Sequence, residues 1–391
     1  MKKFIIIMFL LFSLFSKAQA ASDNQLQFIY INGSNNNDEK MKDWFFDGMK
    51  KMHPQMVKSF NKSSFVNQYL FENGKYTISL EPEAFFWGDM SKNNIETLNS
   101  DLKITQLFSP KLAQTVRSLI AHCLHDAIWV SHYRNMHPVI QDLHQQVLEN
   151  YKNNKPVVLF GYSAGAFVTY EYMFNKLPSI DLVDYFDRTD VSDEFKNYVK
   201  LNKKNNTCID ALISSKLAVF SADGKLIPNI NTKQSIKDYF VLDEHTNVAC
   251  IPDGALKGIV NFASPLVLFY SDISNTNYSM TYYNKLLYKY LLEKNMFWLT
   301  VNYSDDPLGY PTTKNISYKD LKNKIDMKIN PAQGFLYSKS DVKSRKTFIG
   351  AHTSYWATSK KFSKAVVKAY EDGYCLYNYD ECARREKKES E

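Results

Sequence analysis

The sequence predicts an α/β fold: a mainly parallel central sheet, helices on both faces, and an insertion after one helix. Three observations predict it. Short continuous apolar runs alternate with longer helical patterns through most of the 391 residues, as expected of strands buried on both faces. One such run, PVVLF, leads straight into Gly161-Tyr162-Ser163-Ala164-Gly165 and then a helical pattern. Residues from about 177 to 255 are rich in Asn, Lys and Asp and fit neither pattern. They read as an insertion, or a lid, within a single domain spanning 21–391.

The elements follow in order. The chain opens MKKFIIIMFLLFSLFSKAQAAS. A positive start, an apolar run from Phe4 to Phe15 and the small-x-small triplet Ala18-Gln19-Ala20 make a secretory signal peptide over 1–20. The run is too short for a membrane anchor, which takes roughly 18 apolar residues. The expected location is therefore secreted or periplasmic. LQFIYI (26–31) reads as the first strand and NGSNNND as a polar loop. Residues 41–57 read as a helix, and a second strand lies near 76–81. Residues 101–151 read as mostly helical, with a break near Pro138. PVVLF is the third strand, followed by a helix over 164–176. KGIVNF supplies a fourth strand (258–262), FWLTVN a fifth (297–302) and RKTFIGAH a sixth (347–349). A helix over 362–371 closes the domain. The right-handed crossover rule fixes most of the topology.

Composition bounds the function. The chain is 45% hydrophobic and 23% charged, as ordinary globular proteins are. Its 26 Tyr and 26 Phe suit a thick core or an apolar cleft. Removing Lys2, Lys3 and Lys17 with the leader lowers the formal charge of +7 by three. The remaining basic residues are scattered, so nothing calls for nucleic acid. ARREKKESE at the end reads as a solvated tail. Exported proteins keep disulfides. Cys375 and Cys382 are close enough for a local loop, Cys208 and Cys250 would bracket the insertion, and Cys123 reads as a buried thiol. Sequence alone does not fix connectivity.

The G-x-S-x-G stretch carries the chemistry. Glycine loses much backbone entropy on folding, so two so close to one serine indicate a geometric need. A serine on a sharp strand-to-helix turn requires small neighbours two positions away, and that turn holds Ser163 Oγ above the sheet edge. The following N–H, of Ala164, lies near a helix N-terminus, where negative charge is favoured. The bland alternative is a tight turn with no chemistry. A serine hydroxyl needs a base, and in sites of this kind the acid and then the base follow the serine along the chain. Of eight histidines, only His245 and His352 follow Ser163. His245 lies in the insertion, whereas His352 follows the sixth strand. The acid is expected after the fifth strand, in NYSDDPLGYP. Asp306 is preferred there, ahead of Asp305, with Asp272 as a third choice one strand earlier. The losing aspartates read as turn formers. The loop after the first strand offers a second oxyanion donor, the N–H of Gly33 or Ser34.

Together, FIYINGS, GYSAG, VNFASP, VNYSDDPLGYP and AHTSYW resemble the α/β-hydrolase superfamily, and within it the lipase-like class 3 lipases. Those carry a Phe-Gly-Ser-Pro stretch that Asn261–Pro265 approximates, and a His followed by a nearby Tyr, as His352 and Tyr355 are. The chain departs from them at Ala164, Ala166 and the long insertion. The resemblance implies an α/β-hydrolase fold and hydrolysis of a carboxylic ester, as an esterase or lipase. It implies a small-molecule or lipid ester as partner, with a transient membrane-surface contact compatible with the class. No cofactor is required. An acyltransferase using the same site and a non-catalytic binding protein on the same scaffold are the alternatives. Chain length of the substrate and oligomeric state are left open.

Other constellations carry less. His122, His125 and Asp126 share a helical pattern with His132, yet no H-E-x-x-H and no third ligand at diagnostic spacing accompany them, so no metal is expected. Asn-x-Ser/Thr triplets, including those at Asn32 and Asn302, arise by chance in an Asn-rich chain.

Overall fold

The computed structural model of the chain describes residues 24–34, 39–91, 126, 129–130, 133–176, 218–220, 226–228, 250–267, 291, 294–312, 334–346 and 349–390. The signal-peptide segment, Cys123, Cys208, His245, Asp272 and most of 177–255 lie outside them.

Seven strands form one parallel sheet in the order β2-β1-β4-β7-β8-β9, with β3 also paired to β1. They are β1 (Gln25–Ile31), β2 (Thr77–Ile78), β3 (Glu83–Phe85), β4 (Val157–Tyr162), β7 (Leu256–Phe262), β8 (Phe297–Tyr303) and β9 (Phe335–Val342). A separate antiparallel hairpin, β5 (Ala218–Phe220) with β6 (Leu226–Pro228), lies in the insertion. The helices are α1 (Glu39–Lys62), α2 (Ser64–Tyr69), α3 (Tyr133–Lys152), α4 (Gly165–Lys176), α5 (Ile349–Ala357), α6 (Ser359–Tyr377) and α7 (Tyr379–Ser390). This is the α/β class. No helix among the described residues is long and apolar enough to cross a membrane.

The central strands are buried on both faces. Every residue of β4 and β8 is buried, which explains their unbroken apolar runs. Side chains alternate between the faces. Phe28, Tyr30 and Phe262 meet rings from α1, α5 and α6, namely His53, Phe60, Trp356 and Phe362, and Phe160 packs beside Phe28 and Tyr30. Asn261 and Trp298 meet Thr169 and Tyr170 of α4 on the other face, where α3 packs on α4. Strand order reverses at β1, so the crossovers that leave it and return to β4 lie on opposite faces, as right-handed connections require. That reversal opens a crevice at the carboxyl ends of β1 and β4, where open α/β sheets place their ligands.

Three local readings are corrected. The second strand is two short ones, because Pro82 between them has no N–H to give a ladder. α3 runs through Pro138, which falls in its second turn and removes only one helical bond. The sixth strand is β9, and Ile349 instead begins helix α5, while residues 347 and 348 lie outside the described residues. A short apolar run does not by itself separate a strand from a helix start, and the half-exposed alternation of β9 hid an edge strand. The C-terminal run is helical to Ser390, and α7 docks where Glu381 accepts from the Tyr69 and Tyr374 hydroxyls. Cys375 and Cys382 form a disulfide across the α6–α7 turn. Cys250 is also disulfide-bonded.

Candidate active site

Ser163 ends β4 in a left-handed conformation (φ 52°). For a residue with a Cβ this costs on the order of 1–3 kcal/mol and persists only when the surroundings fix it. Here they do. The Ser163 N–H donates to Phe262 O at 2.9 Å, and Ser163 O accepts from the Ala166 N–H at 3.0 Å. The two motif glycines make room for the turn. A Cβ on Gly165 would lie 2.8 Å from the carbonyl oxygens of both Ile31 and Asn32, and one on Gly161 would collide with the Asn261 carboxamide and with the Gly165 backbone. Helix α4 can therefore begin directly against β1.

Three side chains meet at this turn: Ser163 after β4, Asp306 after β8 and His352 from helix α5. His352 Nε2 lies 3.0 Å from Ser163 Oγ, and His352 Nδ1 lies 3.0 Å from Asp306 Oδ1 and 3.2 Å from Oδ2. With the imidazole proton on Nδ1, that nitrogen donates to Asp306 and Nε2 is left to accept from the serine hydroxyl. Ser163 and Asp306 are buried, 5% and 6% exposed. Water therefore competes little for the hydrogen bonds between them and the base.

Asp306 is held from three directions. Besides His352, its Oδ1 accepts from the Leu308 N–H at 3.0 Å and its Oδ2 from the Tyr355 hydroxyl at 2.8 Å. The loop bearing it is pinned to the end of β7 by buried Asn302. Asn302 Oδ1 accepts from the Ser264 N–H at 3.0 Å, and its Nδ2 donates to Tyr310 O at 2.8 Å. Both Asn32 and Asn302 are fully buried with their carboxamides bonded, so neither presents a free amide for glycan attachment.

Asp305 does not face His352. Its carboxylate accepts from the Ser344 N–H (2.7 Å), the Ser344 hydroxyl (2.8 Å) and the Arg345 N–H (3.0 Å). Arg345 is left-handed (φ 67°), so successive N–H groups converge on the carboxylate as in an anion-binding nest. Burial pushes the Asp305 carboxyl up, but these donors outweigh it and hold it below its ordinary value. Asp305 thus ties the acid loop to the segment that leads into α5.

The β1 loop lies against the serine. A Cβ on Gly33 would stand 2.8 Å from Ser163 Cβ. Asn32 shapes this loop: its Nδ2 donates to Gly33 O at 3.0 Å, while its Oδ1 and its backbone O accept from the N–H and the indole N–H of Trp87, each at 2.8 Å. Ala164 opens the turn into α4, whose first N–H groups have no carbonyl of their own helix to bond. Gly33 and Ala164 therefore border Ser163, at a helix end that favours negative charge, and Ser34 follows Gly33 in the same loop.

Two supports lie outside what the motif could signal. Tyr162 fills the unconstrained position of G-x-S-x-G, yet its hydroxyl donates to His352 O at 3.1 Å and its ring packs on the imidazole at 5.6 Å. Asn32 lies in what reads as an ordinary polar loop. Among the described residues no cluster of three His, Cys, Asp or Glu could hold a metal. Asp126 is buried and accepts from the Ser91 hydroxyl at 3.0 Å, and His122, His125 and His132 lie outside the described residues.

This arrangement can move a proton from Ser163 Oγ to Nε2 while the Asp306 carboxylate stabilises the positive charge that develops on the ring. No family model, curated protein or solved structure matches the chain.

Proposed function

We propose that the protein is an exported serine hydrolase of α/β-hydrolase type that cleaves carboxylic esters, as an esterase or lipase does. One observation carries this reading: an unbroken hydrogen-bonded line, Ser163 to His352 to Asp306, with both steps at 3.0 Å. It starts from a serine held in a strained turn. Strain of this kind clusters at functional sites.

His352 Nε2 takes the hydroxyl proton as Ser163 Oγ attacks the ester carbonyl. The C=O π bond opens to an oxyanion, which faces the N–H of Ala164 and that of Gly33 or Ser34. His352 returns the proton to the departing alkoxide as the C–O bond breaks, which leaves an acyl-serine. Water then attacks the acyl carbon, gives its proton to His352 and releases the carboxylic acid, and the proton returns to Ser163. Asp306 keeps the ring oriented and stabilises the imidazolium. The leader sequence is what supports export.

The test is covalent labelling. A fluorescent fluorophosphonate is expected to label the wild-type chain at Ser163 and to label neither Ser163→Ala nor His352→Ala. A p-nitrophenyl ester series then defines acyl length. Folded wild type that takes no label would overturn the reading in favour of a binding protein on the same scaffold.

A further inference from the structure

The acid loop and the helix of the base share a second contact. His352 and Tyr355 are three apart on α5 and so lie on one face, a turn from each other. Both reach the same carboxylate: Nδ1 of His352 at 3.0 Å and the Tyr355 hydroxyl at 2.8 Å. The Tyr355 oxygen also accepts the Tyr303 N–H at 2.8 Å. That bond occupies a lone pair and turns the O–H towards Asp306. Stacking fixes the ring as well, since Tyr303 lies parallel to it at 4.2 Å. Burial, reinforced by the Asp306 charge, lifts the Tyr355 phenol well above its ordinary value, so the group stays a protonated donor at any working pH.

We infer that Tyr355 is a positioning residue for the proposed reaction, holding the Asp306 carboxylate in the orientation that keeps His352 Nε2 on Ser163 Oγ. The inference rests on the hydrolase reading above. Asp306 has two rotatable bonds, and its Oδ2 has two donors to satisfy. Without the phenol, the carboxylate can rotate and its charge is shared by fewer donors. The ring is then less well aimed, and its protonated form is favoured because more of the Asp306 charge falls on it.

The test compares Tyr355→Phe with Thr358→Ala in the full chain. Thr358 bonds the Tyr303 hydroxyl and Ser354 O without reaching the carboxylate, so its variant reports the loss of nearby structural hydrogen bonds without touching Asp306. For Tyr355→Phe the maximal fluorophosphonate labelling rate is expected to fall about tenfold, the loss of one charge-assisted hydrogen bond. Half-saturating probe concentration should stay unchanged, and the acid limb of the rate–pH profile should move to higher pH. Thr358→Ala should lower Tm and leave that limb in place. A Tyr355→Phe enzyme with wild-type rate and profile overturns the inference, as does a rate loss no larger than its loss of folded protein. The imidazole resonances of His352, assigned with His352→Ala, give a readout that needs no turnover. If they titrate at higher pH in Tyr355→Phe, the coupling holds even should wild type prove unreactive; if they titrate as in wild type, it fails whether or not the protein is a hydrolase.

Discussion

The two faces of the sheet hold the site by opposite means. On the α4 face, side chains are removed. Gly161 and Gly165 let the helix start against the backbone of β1, and Thr169 bonds Asn261 of β7 at 2.9 Å. On the α5 face, bulk and polarity are added. Buried Trp356 packs against Tyr30, Trp44, Phe45, Tyr162 and Phe262, and Asp305, Tyr355 and Tyr162 tie α5 and its approach to distant strand ends. The serine needs a fixed turn, which close backbone contact supplies. The histidine sits on a helix that follows the edge strand, and it is anchored from several sides.

Adding one methyl to each face breaks this comparison most forcefully. In Gly165→Ala the new Cβ meets the carbonyl oxygens of Ile31, the last residue of β1, and of Asn32 just after it, both at 2.8 Å, and strand backbone cannot step aside without breaking its ladder. The expected loss is about 3 kcal/mol, seen as a lower urea midpoint. In Gly48→Ala the Cβ meets the Trp356 ring, also at 2.8 Å. A ring can tilt, so the expected loss is nearer 1–2 kcal/mol. Because Trp356 shares α5 with His352, fluorophosphonate labelling should slow as well. Equal losses at the two positions would mean that the faces are equally yielding.

That contrast also explains what the sequence could tell. The α4 side is local. Its constraint is two glycines flanking a serine after an apolar run, and five consecutive residues display it. Chain order likewise puts the acid after the fifth strand and the base beyond it, and Asp306 and His352 do meet Ser163, although His352 comes from helix α5 and not from a strand end. The α5 side is non-local. Tyr162 reaches His352 across 190 positions and Asp305 reaches Ser344 across 39, and no periodicity announces such partners. Asp305 and Asp306 are neighbours in one loop, and the sequence prefers Asp306 without showing where Asp305 goes. Only the turn after Tyr303, closed by the Asp306 N–H to Tyr303 O at 3.1 Å, sends them in different directions. The edge strand was misplaced for a related reason: its outer half is solvated, so its pattern is mixed.

The Asp305 clamp sharpens the comparison at intermediate size, because it is charged whereas nothing on the α4 face need be. A carboxyl depressed in the folded state binds its proton more readily when unfolded. Its stabilisation is therefore complete above the unfolded value of about 3.9 and is lost as pH falls through the lower folded value. Asp305→Asn is expected to cost about 1 kcal/mol at pH 7, with the gap to wild type narrowing toward pH 3 in urea titrations. A gap that is the same at both pH values would show that the clamp works through shape and not through charge.

The smallest effect is expected at Ala263, where the carboxyl edge of β7 turns beside the serine. Ala263 is fully buried and left-handed, φ 52°, the same conformation as Ser163. Replacing it by glycine relieves about 1 kcal/mol of backbone strain. The change also frees the unfolded chain by about 0.5–1 kcal/mol and strips a buried methyl worth about 0.8 kcal/mol. These terms nearly cancel, so Ala263→Gly should shift stability by less than about 1 kcal/mol, whereas alanine-to-glycine changes in regular buried structure lose both entropy and methyl with no strain to relieve. Ala166, buried in the first turn of α4, is the control. If Ala263→Gly costs as much as Ala166→Gly in paired urea titrations, the left-handed turn at β7 is not strained, and the strain at this edge is confined to the serine.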